Sequence, residues 1–231
     1  PLLAEGPGPQ GGHATMRVGL DVGAQQTLGA GVALNYRFGL HDYLDRQTAY
    51  PAYTQLDILS VRLESFPQQG RVLLDELTLF RFMRLPPLTR SWEELSWKVE
   101  VGGRSIREAS CLYCGAGTVL AALGATVQPV ESWPVTFWFL VEGELILAPG
   151  ASGFPLKPAF GPRVGLRLSL LPWLNGMVYG AYRYQTASSS TEIVQAGTEW
   201  RAAFDVNWAL NLKLQKLSDG WQGFGGLLAY F

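Results

Sequence analysis

The chain has only two histidines and two cysteines, so few of its side chains could serve as a general base, a nucleophile or a soft metal ligand. His41, Asp42 and Asp45 lie together in His-Asp-Tyr-Leu-Asp. A histidine flanked by carboxylates could be oriented for proton transfer or share a metal. No serine or cysteine nucleophile is near in sequence, however, and such residues in a connector also cap turns and hold loops shut. These three therefore read as a docking or loop-structuring group, with no catalytic residue assigned. Cys111 and Cys114 form a Cys-x-x-Cys. A structural zinc site needs four ligands and no second pair exists, while a thioredoxin-like motif would need a βαβ context that is missing. A local disulfide in an oxidising compartment is the expected state. His13, after Gly-Gly, carries no motif alone, and neither metal nor cofactor is expected.

The elements that must position these residues show a period of two, the spacing at which side chains of a strand alternate between faces. Met16, Val18, Leu20 and Val22 alternate with Arg17, Gly19 and Asp21. Leu28 to Phe38 repeats the pattern, with Asn35 and Arg37 on the polar side. So do Trp92–Val101, Arg163–Leu170 and Asp205–Leu217, the last setting Val206, Trp208, Leu210, Leu212 and Leu214 against Asp205, Asn207, Asn211, Lys213 and Gln215. Less regular strands are expected at 55–65, 71–82, 117–127, 134–147, 175–185, 191–204 and 221–231. The sum is twelve, an even number as in single-chain bacterial outer-membrane barrels. Short connectors such as Pro-Gln-Gln-Gly at 67–70 favour an up-and-down meander, and longer ones are expected at about 39–54, 102–114 and 148–161.

Composition indicates what the apolar faces meet. Charged residues are 16% of 231 and aromatic residues 12%, including 8 Trp, whereas soluble domains carry about 25% charge. No run is long and apolar enough for a transmembrane helix. A net charge of −1 without a basic cluster argues against a nucleic-acid partner. The expected fold is all-β: a closed antiparallel up-and-down transmembrane β-barrel, its apolar faces against outer-membrane lipid. A soluble sandwich or lipocalin-like barrel is the competing architecture.

In the membrane reading Trp92, Trp133, Trp173, Trp221 and Tyr230 form an aromatic girdle near strand ends. Arg17, Asp21, Arg37, Arg167, Arg183, Glu199, Arg201 and Lys213 form a charge network in the lumen. Unpaired charges in a narrow lumen cost several kcal/mol, on the order of the penalties for buried ions, so a plugged or very narrow interior is expected. The terminal Phe231 suits recognition by barrel-assembly machinery, although Ala229 is a poor match to that signal. Residues 1–12, rich in Pro and Gly, read as a linker from a missing upstream region, with 13–231 as the barrel.

Gly12-His13, the run Tyr36-Arg37-Phe38-Gly39-Leu40-His41-Asp42-Tyr43-Leu44-Asp45, Tyr50 and Ser91-Trp92 together resemble the C-terminal barrel region of uncharacterised Gram-negative envelope proteins. Those proteins carry upstream a periplasmic domain related to the lipoprotein N-acyltransferase. The resemblance covers about Gly12 to Phe231. It implies a non-enzymatic outer-membrane anchor for an upstream periplasmic domain or partner protein, and no catalytic residue carries over. If both termini are periplasmic, the 39–54 connector lies on that side, where Asp42 and Asp45 would dock the partner. Two alternatives stay open: a barrel-embedded lipid hydrolase or deacylase, with His41 as its candidate, and a narrow substrate-specific channel.

Overall fold

The computed structural model describes residues 13–39, 41–45, 53–88, 95–108, 111–130, 132–148, 156–186, 191–217 and 220–231, without the side chains of 106–113 and 191. Twelve strands follow one another: β1 (Arg17–Gln25), β2 (Gly29–Arg37), β3 (Thr54–Phe66), β4 (Arg71–Arg84), β5 (Ser96–Glu108), β6 (Cys111–Val127), β7 (Val135–Leu147), β8 (Leu156–Leu171), β9 (Leu174–Gln185), β10 (Thr191–Ala203), β11 (Trp208–Leu217) and β12 (Gly220–Tyr230). Each pairs antiparallel with its neighbours in sequence, and β1 pairs with β12 from Arg17↔Tyr230 to Gln25↔Gln222, closing the barrel. Closure leaves no row of unpaired backbone groups, the condition hydrocarbon imposes on a spanning sheet. The shortest strands, β1 and β2, have 9 residues, and about 9 to 11 tilted residues cross a bilayer core.

The sequence pattern places most strands within a few residues. One expected connector is wrong. The stretch 102–114 belongs mainly to β5 and β6, which pair from Ser96↔Gly124 to Glu108↔Cys111, because Gly102 and Gly103 pack closely against neighbouring backbone instead of breaking the strand. Likewise β8 starts at Leu156, and β11 starts only at Trp208, after a bend at 204–207. The turn at 67–70 is one of 3-10 helix, Pro67–Gln69, ended by Gly70 at φ 58, a left-handed conformation that glycine adopts without steric cost.

The two faces separate as the barrel requires. Leu20, Val22, Leu34, Leu123, Val164, Leu210 and Leu212 point outward, Leu123 being 63% exposed. Asp21, Arg37, Glu142, Arg183 and Arg201 point inward and are buried. Trp208 and Leu210 are both exposed, opposite to a soluble barrel that would shield them.

The register shifts at several pairs, and those in β3 and β4 change which side chains face the interior. In β3, Leu59 has a φ of 50, and this irregular residue lets Asp57 and Arg62, on opposite parities, both reach the interior. In β4, Arg62 pairs with Glu76 and Leu63 with Leu74, so Asp75 is the extra residue of a bulge. A bulge kinks the strand and re-aims its side chains.

Trp133, Trp173 and Trp221 are about half exposed at strand ends, as a girdle requires. Trp92 lies outside the described residues. Tyr230 does not belong to the girdle. It is 6% exposed and faces the lumen, because the β12 register gives it the parity of Gln222 and Phe224, and its hydroxyl finds a carboxylate there. Trp97, stacked on Phe82 at a centroid distance of 4.9 Å, lies at the rim where β1 begins and β12 ends, the terminal rim.

The connectors are uneven. Those on the terminal rim include 38–53 and 85–95, whereas the opposite rim has 26–28, 67–70, 109–110, 148–155, 186–190 and 218–219.

Candidate functional site

The His41–Asp45 segment folds into the barrel mouth at the terminal rim. It is held on the wall by a two-way backbone bridge, Leu56 N to His41 O at 3.0 Å and His41 N to Leu56 O at 3.3 Å. The His41 Nε2 is 2.7 Å from Thr54 Oγ1. Asp45 then reaches the centre of a polar cluster. Its carboxylate accepts from Arg201 at 2.6 Å, Tyr230 Oη at 2.6 Å, Arg37 at 3.0 Å and its own segment's Asp42 N–H at 2.8 Å, with His13 Nε2 at 3.2 Å. Asp42 faces Arg201 at 3.0 Å, Arg17 at 3.1 Å and Arg37 at 3.5 Å. Below them Tyr43 lies under Arg167, 4.9 Å from ring centroid to guanidinium, and Asn175 donates to the Leu44 carbonyl at 3.3 Å.

Charge balance explains why this segment sits inside. Two carboxylates out of water would cost several kcal/mol each without partners, and Arg17, Arg37 and Arg201 supply them. Burial pushes the Asp42 carboxyl up, but Arg201, with Arg17 and Arg37, outweighs it and holds the group below the usual range. Burial acts on Asp45 the same way, and Arg201, Arg37 and the His13 contact keep it well below. Burial also lowers the His41 imidazole, against the pull of Asp45.

The docking surface expected at Asp42 and Asp45 is therefore not external: Asp45 is 3% exposed. The loop-structuring alternative is the one their contacts fit. His41, 7% exposed on the lumen side, does not reach the lipid face where a hydrolase acting on bilayer lipid would need it.

Further along, the lumen divides. One half is filled. Arg62 joins Asp21 at 2.9 Å, Glu64 at 2.9 Å and Asp75 at 3.5 Å, and stands 4.8 Å from the Phe224 ring. Phe66, Phe224, Leu28 and Ala33 pack beside it. Asp57 links this wall to the mouth through Arg37 at 3.2 Å, and Arg81 ties Glu76 and Glu100 together. The other half holds a cavity of about 310 Å³. Its lining mixes charged groups, Glu76, Arg81, Lys98 and Glu100 among them, with the apolar side chains of Leu120, Trp138, Leu140 and Met177. Arg163 meets Glu142 at 2.6 Å, and Arg104 and Arg183 meet Glu144 at 2.9 and 2.8 Å.

All eight lumen charges named from sequence face inward. Arg17, Arg37 and Arg201 converge with Glu199 at the mouth, where Glu199 accepts from Arg201 at 2.9 Å. Asp21, Arg167, Arg183 and Lys213 sit in separate places. Sequence reasoning missed Asp57, Arg62, Glu64, Asp75, Glu76 and Arg81, whose parity the irregularities of β3 and β4 hide. It also missed Glu142 and Glu144, for which a signal existed: they are the charges of an otherwise apolar strand. Cys114 is disulfide-bonded, and the side chain of Cys111 lies outside those described. No metal-ligand group occurs among the described residues.

The closed twelve-stranded barrel, apolar outside and salt-bridged inside, is similar in fold to solved outer-membrane porins. The KdgM porin, solved in complex with disordered oligogalacturonate, matches with a TM-score of 0.51 and 10% identity over 93% of this chain and 99% of that one. The NanC porin matches with a TM-score of 0.53 and 2% identity over the same shares. At such identities the likeness is one of fold. Curated proteins give no match. The chain belongs to the family described as domain of unknown function DUF7840, whose model matches residues 7–224.

Proposed function

We propose that this chain is an outer-membrane β-barrel of a Gram-negative envelope, working as a closed anchor that holds a periplasmic domain or partner protein at the membrane. The observation that carries the reading is the seat of Asp45, bound by Arg37 of β2, Arg201 of β10 and Tyr230 of β12. A segment tied to three parts of the wall would block the mouth, which supports a closed barrel. The outer face of Leu, Val, Phe and Trp supports residence in lipid, and its biogenesis would then use the barrel-assembly machinery. The longer connectors share a rim with the start of β1, which suits an upstream domain, such as the N-acyltransferase-related one, joined through residues 1–12.

A reporter protein joined ahead of Pro1 tests this. It should co-sediment with outer membranes and meet protease only after the outer membrane is permeabilised. Digestion in intact cells would reverse the orientation and end the anchor reading.

The channel reading is favoured by one observation, the 310 Å³ cavity lined by both charge signs. Planar-bilayer recording separates the two. The anchor gives no steps for wild type, whereas steady wild-type conductance makes the chain a channel.

A further inference from the structure

We infer that the open half of the lumen is a binding site for a small carboxylate-bearing amphiphile, its apolar part against Trp138, Leu140 and Met177 and its head at Lys213. This goes beyond the anchor reading and does not depend on it. The cavity is built by one row across the sheet. Trp138 pairs with Gly165, Gly165 with Tyr179, Tyr179 with Gly197 and Gly197 with Gln215. All five face inward, so large and small side chains alternate around the wall. A Cβ on Gly165 would lie 2.2 Å from the Trp138 ring, and one on Gly197 would lie 2.9 Å from Tyr179 Oη. The two aromatic side chains therefore lie along the wall over glycines and leave the centre empty.

Among the donors in this cavity that lack an acceptor, Arg183 Nε lies beside the Glu142–Glu144 cluster, and two others are the Trp138 indole and the Lys213 ammonium. Trp138 is 5% exposed, yet its Nε1–H makes no hydrogen bond. An indole N–H in a buried site ordinarily finds a partner. Among the described residues, no hydrogen bond or ion pair reaches the Lys213 ammonium, which lines the same space. The carboxylates whose charge acts on it are already engaged, Glu76 by Arg81 and Glu199 by Arg201. Tyr179 Oη is committed to Gln215 at 3.1 Å. An ammonium and an N–H beside an apolar wall ask for an anionic acceptor joined to an apolar body. A carboxylate offers that acceptor, and the apolar lining rules for the body, since small-molecule sites are largely apolar with a few placed polar groups.

The test is titration of carboxyl-¹³C octanoate into the barrel in nanodiscs, read by NMR against empty nanodiscs, with acetate and octan-1-ol as comparison ligands. Saturable octanoate binding is expected. Lys213→Gln should weaken it by about tenfold, the loss of one charge-assisted contact. Gly165→Val, which drives the Trp138 ring into the cavity, should abolish it. Trp138→Phe keeps the ring and loses only the donor, so a weakened affinity in a folded barrel is readable even if Gly165→Val fails to fold. Lys216→Gln, whose ammonium stands 6.0 Å from the Trp221 ring on the outside, should bind as wild type does. Octanoate uptake no greater than in empty nanodiscs, acetate bound as tightly as octanoate, or affinity unchanged in Lys213→Gln would overturn the proposal.

Discussion

Arg201 and Asp45 meet at 2.6 Å although 156 residues of chain separate them. The contact spans from the second connector to the tenth strand, and both partners are almost wholly out of water. Removing one member of such a pair leaves a buried charge uncompensated, which costs about 3–5 kcal/mol. Asp45→Ala should therefore destabilise the barrel by that amount, since it strips Arg37 and Arg201 together. Urea unfolding in detergent micelles, followed by Trp fluorescence, reads it, and a loss under about 1 kcal/mol, the level of an exposed pair, would contradict the buried seat.

Tyr230→Phe asks a finer question of the same cluster. It deletes one hydroxyl donating to a carboxylate, and such bonds are worth about 1.5–3 kcal/mol. Stability should fall within that range in the unfolding assay while the ring keeps its packing beside His13, 4.3 Å away between centroids. If Tyr230 instead anchored the rim in lipid, the substitution would be close to neutral.

Acid should open the mouth late. Asp42 and Asp45 have folded values below their ordinary 3.8. A depressed carboxylate contributes stability that is complete above its unfolded value and is lost only as pH falls through the folded one. Bilayer recordings should therefore stay silent on descent to 3.8 and show openings only below it. Openings that begin near the ordinary histidine value of 6.5 would assign the latch to His41 instead.

The lipid-facing assignment is tested by Leu212→Arg, in the middle of β11 and 55% exposed. An arginine at the bilayer midplane costs a transmembrane barrel about 2–4 kcal/mol, so folding into vesicles should suffer by that amount. In an aqueous barrel the same change would sit on a wet surface and cost little.

Where a strand alternates without interruption, its faces were legible from residue types alone. Arg37, Arg183 and Arg201 stand between neighbours that are apolar or small, a pattern that assigns them to the interior, and each is found there. In β3 and β4 the period breaks at Leu59 and Asp75, so a strict count of two moves Arg62 and Glu76 to the wrong face. Tyr230 misled for a different reason. An aromatic at a strand end fits a girdle equally well on either parity, and only the register of β12 against β1 decides it. Asp42 and Asp45 were visible as a motif, but their seat is assembled from β1, β2, β10 and β12. No local pattern records that four distant strands supply matching cations and a hydroxyl. The cavity was equally hidden, since Gly165 and Gly197 gain meaning only once Trp138 and Tyr179 stand beside them.

The unequal connectors make the two ends of the molecule differ in kind. Opposite the termini, most strands turn back within a few residues, at 26–28, 67–70, 109–110 and 218–219. That end offers little chain on which substitutions, insertions or new contacts could accumulate. Variation among family members should concentrate at the other end, in the spans 38–53 and 85–95, where the molecule has chain length to change without disturbing the staves of the cylinder.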